Sequence, residues 1–220
     1  GVAAQVGVYW RYEKLLRRSE STVASMLGAT GAIYAMRRDL WSPLPDGTLL
    51  DDFLAPMRVV LRGRRALFDG RARAYDQASQ QAGQEWRRKI RTLAGNFQAF
   101  AMEPALLLPW RNPFTWFQVW SHKVFRLFVP YGLVLAWLAS LVGTGWLMTA
   151  AFAIQTAFYL AAFAGWQLEK TGPSINWKIV SLAYTFTLLN LAAAGGLWFW
   201  LSGKAPSSLW KKAYQPAPGD

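Results

Sequence analysis

Three apolar runs, at residues 127–143, 146–165 and 179–201, set the terms for everything else in this chain. Each approaches the roughly twenty residues needed to cross the hydrocarbon core of a bilayer. In lipid every backbone N–H and C=O must be satisfied within its own segment, so such runs are predicted to be helices. The first two are joined by Gly143-Thr144-Gly145 alone, which makes them a helical hairpin. Gln155 and Asn190 are the main amide side chains within the runs and are expected to bond between helices.

Composition divides at the same place. Residues 1–123 carry 18 Lys and Arg against 10 Asp and Glu, while residues 124–220 carry 6 against 2. The net charge of +12 would suit a nucleic-acid partner, but the basic residues are dispersed and no nucleic-acid motif is present. Attraction of basic residues to anionic lipid on the cytoplasmic side explains the charge more simply. The loop 167–178, with Glu169, Lys170 and Lys178, then belongs on the side of the basic part. Three spans would place Lys204, Lys211 and Lys212 opposite, against the positive-inside rule, so either one run is re-entrant or the tail is an exception. With no cysteine and one histidine, the chain has no disulfide framework, thiolate metal site or multi-histidine centre. The opening Gly1-Val2-Ala3-Ala4 reads as the interior of a longer polypeptide, with an N-terminal part expected before it.

In the basic part, spacing predicts a helix over 9–27, with Glu13 and Arg17 pairing on its exposed side. Small residues from Gly28 to Ala32 lead into the apolar Ile33-Tyr34 and the basic Arg37-Arg38, which suits a loop feeding a buried strand. Pro43, Pro45 and Asp46-Gly47 mark a turn-rich loop. A helix over 53–61 should stop at Gly63. Residues 64–74 read as two short strands about a turn at Asp69-Gly70. This alternation predicts an α/β fold. Residues 84–100 form a basic amphipathic helix, with Ile90, Leu93, Phe97 and Phe100 on one face. Arg87, Arg88, Lys89 and Arg91 crowd its start, where the helix dipole disfavours them. An anionic partner is expected there, either phospholipid headgroups along the interface or a substrate phosphate. Residues 104–121 hold three prolines with Trp110, Trp116 and Trp120, a broken helix at an aromatic belt. His122 reads as an interfacial polar residue.

Asp51-Asp52 is an adjacent acid pair in a chain short of acid. Two readings stand side by side. The pair can favour a helix N-terminus, or its mutual repulsion and partial burial can tune a carboxyl for acid/base chemistry.

The order of these pieces resembles the second half of the membrane-bound family 2 glycosyltransferases, which include cellulose, hyaluronan and other exopolysaccharide synthases. Gly28-Ala29-Thr30-Gly31-Ala32, with Tyr34-Ala35 and Arg37-Arg38, is similar to that family's acceptor-side loop. Asp51-Asp52, eleven residues before Gly63, is similar to its paired acids, whose second member is the catalytic base. Arg88 to Gln98 sits where the family has its Gln-x-x-Arg-Trp helix, and Ser121-His122-Lys123 is similar to its approach to the first span. The resemblance implies the acceptor half of a GT-A, Rossmann-like domain over 1–83, interfacial helices over 84–123, about three spans over 124–201 and a polar tail. It implies an inverting transfer from a nucleotide sugar, a UDP-sugar by expectation, to a saccharide or lipid-linked acceptor at a bacterial inner membrane, with the catalytic part cytoplasmic. Asp52 would be the base and Asp51 its support. Thr30, Gly31 and Ala32 would line the acceptor and donor loop, and Arg91 with Arg88 would face the diphosphate. Arg88 replaces the family's Gln and Thr92 its Trp, which puts processive synthesis in doubt. The Mg²⁺ or Mn²⁺ ligands and the donor site are expected in an upstream half outside this chain. The rival reading is a non-catalytic membrane scaffold or transport-associated subunit. The nearly charge-free spans disfavour transport.

Overall fold

A computed structural model describes residues 2–74, 82–109, 112–171 and 177–203, and among them it contains helices but no sheet. The helices are α1 (Val2–Val23), α2 (Asp51–Leu61), α3 (Ala82–Met102), α4 (Pro113–Gln118), α5 (Phe125–Val142), α6 (Trp146–Thr171) and α7 (Lys178–Leu201). A π-helical turn, Val119–Val124, joins α4 to α5 without a break in the chain's path. Three stretches, Pro113–Val142, Trp146–Thr171 and Lys178–Leu201, are long and apolar enough to cross a membrane. Trp110, Lys204, Lys211, Lys212 and most of the loop that precedes α7 lie outside the described residues.

The expected α/β, Rossmann-like fold is therefore wrong for these residues. The segments read as strands run as loops, and the lone β-bridge joins Thr30 to Ile33 within one turn. Four to six extended residues with no neighbour to share a ladder must find backbone partners elsewhere. Here they find α1. Ser21 Oγ accepts from Phe68 N–H at 2.8 Å, Ser25 Oγ from Ala66 N–H at 3.3 Å, and Ala66 O accepts from Met26 N–H at 2.9 Å. One short strip is thus sewn to the end of a helix and never becomes a sheet.

α2 is organised by its apolar face. Phe53, Leu54, Met57 and Val60 recur at helical spacing and are all nearly inaccessible. Gly63, at φ +76°, follows its last turn in the left-handed conformation that ends many helices. The acid pair lies in the first turn of α2, with Leu50 as its cap, so the helix begins two residues earlier than its apolar pattern shows.

α3 carries its apolar face onto protein. A Cβ added at Gly196 would lie 2.9 Å from Leu93 Cβ and 2.9 Å from the Ala94 nitrogen, so the α3 and α7 backbones meet there. Phe97 stacks on Trp200, and Phe100 meets Phe53 edge to face. Leu27, Leu54, Leu93, Leu106, Val119, Leu127 and Ala192 continue the same core, which joins the N-terminal part to the first turn of α5 and the second half of α7. In the hairpin, Gln155 Nε2 donates across to Leu133 O at 2.8 Å, as expected of an amide between helices. Asn190 instead bonds within its own helix, to Phe186 O at 2.9 Å.

Candidate functional site

The first turn of α2 is where the sequence-predicted residues converge. Pro56, inside α2, has no N–H to give to the carbonyl four residues back, which is that of Asp52. That carbonyl accepts instead from Ala29 N–H at 2.6 Å. Gly28, at φ +83°, turns the loop so closely over α2 that a Cβ would meet Asp52 O and Phe53 Cα at 3.2 Å. The loop of residues 28–31 is thereby seated on the acid pair. A Cβ on Gly31 would stand 3.1 Å from Asp52 Oδ2, and the Gly31 N–H donates to that carboxylate.

Asp52 is half-buried while Asp51 is exposed. Burial first, and then the charge of Asp51, push the Asp52 carboxyl above the ordinary aspartate range; Arg17, Lys123 and the Gly31 N–H pull the other way. Tyr34 belongs to the same neighbourhood. Burial first, then both aspartates, raise its phenol above the ordinary tyrosine value. Thr30 Oγ1 accepts from Arg17 Nη1 at 3.0 Å, which ties α1 to the loop. Ala32 is exposed on the turn beyond.

α3 approaches from the other side. Gln98 holds the strip before the acid pair, accepting from Leu49 N–H at 2.8 Å and donating to Gly47 O at 3.0 Å. At Gly95 the approach is closer still, since a Cβ would lie 2.5 Å from Leu50 Cγ. Arg91 is one turn before Gly95, so it occupies the α3 face that looks toward this strip. Its side chain is partly buried, whereas Arg88, a turn further away, is exposed. The structure therefore joins Asp51, Asp52, Thr30 and Gly31 into one site and places Arg91 one turn along α3 from the contact with Leu50. It leaves Arg88 at the periphery.

A second layer lies beneath, and sequence reading did not find it. Glu13 and Glu20 are each only 5% exposed. The expected Glu13–Arg17 pair does form, at 3.9 Å, but on the buried face of α1. His122, on the π-turn, is inserted between the two acids. Its Nδ1 lies 2.7 Å from Glu20 Oε1 and its Nε2 3.6 Å from Glu13 Oε1. Arg126 Nη1 lies 3.6 Å from Glu13 Oε1. Lys123, the next residue along the turn, stands with its Nζ 5.9 Å from the centre of the Phe53 ring. One signal for this layer was present in the sequence. Glu13, Arg17 and Glu20, at spacings of four and three, share one helix face, and nothing had required that face to be solvated.

Among the described residues, no group of three His, Asp or Glu side chains could hold a metal ion. No known family pattern, curated protein or solved structure matches the chain.

Proposed function

We propose that this chain contributes the acceptor-side base and the membrane portion of an inverting glycosyltransferase using a nucleotide-sugar donor. What supports it most is the environment of Asp52. The carboxylate is half-buried at the start of α2, seated under the Thr30-Gly31 loop, with Arg17 and Lys123 close enough to act on its charge. A sugar hydroxyl is a poor nucleophile, and a positioned base contributes about 10²–10⁴-fold to such a step. Asp52 takes the hydroxyl proton as the acceptor oxygen bonds to the anomeric carbon. The bond from that carbon to the phosphate oxygen breaks, and the nucleoside diphosphate leaves with the electron pair. Asp51 raises the proton affinity of Asp52, which brings the base nearer to working pH. Arg91, one turn along α3 from the contact with Leu50, supplies positive charge toward the departing diphosphate.

Lys123 is two residues from the start of α5, so Asp52 sits beside the head of the first apolar helix. That position suits an acceptor delivered at a bilayer surface, a lipid-linked saccharide included. Mg²⁺ or Mn²⁺ would serve the donor diphosphate from outside this chain.

The test uses the natural polypeptide in membrane vesicles with radiolabelled UDP-sugars and Mg²⁺ or Mn²⁺. Asp52→Asn should lower transfer by at least about 10²-fold while leaving donor binding intact. Transfer at the wild-type rate in that variant sinks the base assignment. Absence of transfer from every nucleotide sugar, with wild-type protein folded and inserted, favours the scaffold reading.

A further inference from the structure

The ionic layer under the acid pair is an unusual thing to bury. Glu13 and Glu20 on α1 and the half-buried Asp52 on α2 face Arg17 from α1 and Lys123, Arg126 and His122 from the π-turn and the head of α5. Buried ion pairs contribute little net stability compared with apolar packing, because desolvation offsets most of the attraction. What such a layer does provide is a fixed geometry. Glu20 only accepts, so the ring nitrogen 2.7 Å from it carries a proton.

The bonds around Glu20 show what is being fixed. Its Oε1 accepts from His122 Nδ1 at 2.7 Å, and its Oε2 accepts from Leu27 N–H at 3.2 Å. Its backbone oxygen accepts from Gln118 Nε2 at 3.3 Å, a second tie to the α4 end of the π-turn. Leu27 immediately precedes Gly28, where the loop turns onto Asp52. A single carboxylate thus grips the π-turn with one oxygen and the catalytic loop with the other. π-Turns break the register of a helix and recur at functional positions. Here the extra residue aims His122 and Lys123 inward together.

We propose that His122 and Glu20 are positioning residues for the Asp52 site, locking the loop of residues 27–31 to the π-turn that heads the first apolar helix. The proposal rests on the glycosyltransferase reading for its catalytic consequence, but its structural half stands alone. Neither residue touches the reacting atoms. Each acts through Leu27, Ala29 and Gly31, and so through the place where the Asp52 carboxylate is held. Misplacing a reacting group by an ångström can lower a rate about 100-fold.

The experiment has two arms, both on the natural polypeptide in membranes. The first measures sugar transfer from a UDP-sugar with His122→Leu, His122→Gln, Glu20→Gln and the double variant His122→Leu/Glu20→Gln. His122→Leu should lower kcat about 10- to 100-fold at unchanged donor KM, normalised to folded protein. His122→Gln, which can still donate to Glu20, should recover most of the rate. The double variant should be no slower than the worse single one, because both remove the same tie. A uniform loss explained by the amount of folded protein, or no rescue by Gln, overturns the positioning role. The second arm needs no activity. Ala29, 6% exposed, is replaced by Cys, with any cysteine outside this cysteine-free chain changed to Ser, and its reaction with a water-soluble maleimide is timed. His122→Leu should speed labelling at least about 10-fold and His122→Gln only slightly, as expected when a buried loop opens locally. Unchanged labelling overturns the lock whatever the enzyme does. Faster labelling in a protein whose wild type transfers no sugar upholds the lock and overturns the glycosyltransferase reading.

Discussion

At Asp52, the proposed catalytic role and stability pull in opposite directions. A carboxyl held above its ordinary range by burial and by Asp51 prefers its proton in the folded state. Its contribution to stability is present below the unfolded-state pKa and is lost as pH rises through the higher folded-state value. At neutral pH the ionised group is a net burden on the fold, which an active site can tolerate and a mere helix cap has no reason to carry. Asp52→Asn should therefore raise the melting temperature at pH 7, read by tryptophan fluorescence, and the gain should shrink toward pH 4. A melting temperature lowered at pH 7 would show that the carboxylate's bonds to Gly31 and its cations outweigh its burial. The pair itself was legible in the sequence as an adjacent doublet in acid-poor surroundings. The cations facing it were not. Lys123 and His122 lie about seventy residues away in the chain, on a turn whose π-geometry no local pattern announces. His122 was read as interfacial for want of a nearby acid. The acids that hold it came from α1, more than a hundred positions earlier.

At the scale of elements, helices were legible and strands were not, for a reason in the sequence. Residues 53–61 and 84–100 repeat their apolar positions over several turns, a signal too long to be accidental. Residues 32–36 and 64–68 are short apolar-bearing pieces that suit a strand or a docked loop equally well, and only a partner strand could have decided between them. Two predictions belong to the elements. Pro56 is disfavoured in a helix interior by about 3 kcal/mol relative to Ala, yet its missing N–H leaves Asp52 O for Ala29. Pro56→Ala should keep or raise thermal stability while the Ala29 amide exchanges faster with solvent deuterium, because a helical N–H now competes for that carbonyl. Unchanged exchange would mean that the oxygen serves both donors without strain. The α3–α7 contact gives a matched pair. A methyl at Gly196 collides with the Leu93 Cβ and the Ala94 nitrogen, both fixed to backbone, whereas at Gly195 it meets only the tip of Ile90 at 3.5 Å. Gly196→Ala should destabilise by about 1–3 kcal/mol, as overpacking does, and Gly195→Ala by much less. Equal melting temperatures for the two would remove this contact from the fold.

For the whole molecule, the open matter is how three apolar helices serve a basic N-terminal part that is packed onto two of them. The first half of α7 packs on α6, with a Cβ at Gly165 reaching within 2.7 Å of Tyr184 Cβ, while its second half is covered by α3. An amphipathic helix lying only along a membrane surface would not cover half of a spanning segment. Either α3 dips beside α7, or the second half of α7 is drawn to the surface with it. The second arrangement would return the end of α7 to the side of the basic part, as the positive-inside rule favours for the lysines beyond it. This chain has no cysteine, so with any cysteine elsewhere in the natural polypeptide changed to Ser, single substitutions at exposed positions decide it: Trp41→Cys in the N-terminal part, Thr144→Cys in the α5–α6 turn, Thr171→Cys at the end of α6 and Ser202→Cys after α7. In oriented vesicles treated with an impermeant maleimide, Trp41→Cys and Thr171→Cys should label from one face and Thr144→Cys from the other, since α5, at 18 residues, spans about 27 Å. We expect Ser202→Cys to label with Trp41→Cys, because α3 carries the end of α7 toward the same core that holds Phe53 and Phe100. Labelling of Ser202→Cys with Thr144→Cys would instead make α7 a full span and require α3 to enter the bilayer beside it, with Arg87, Arg88 and Lys89 left at the surface.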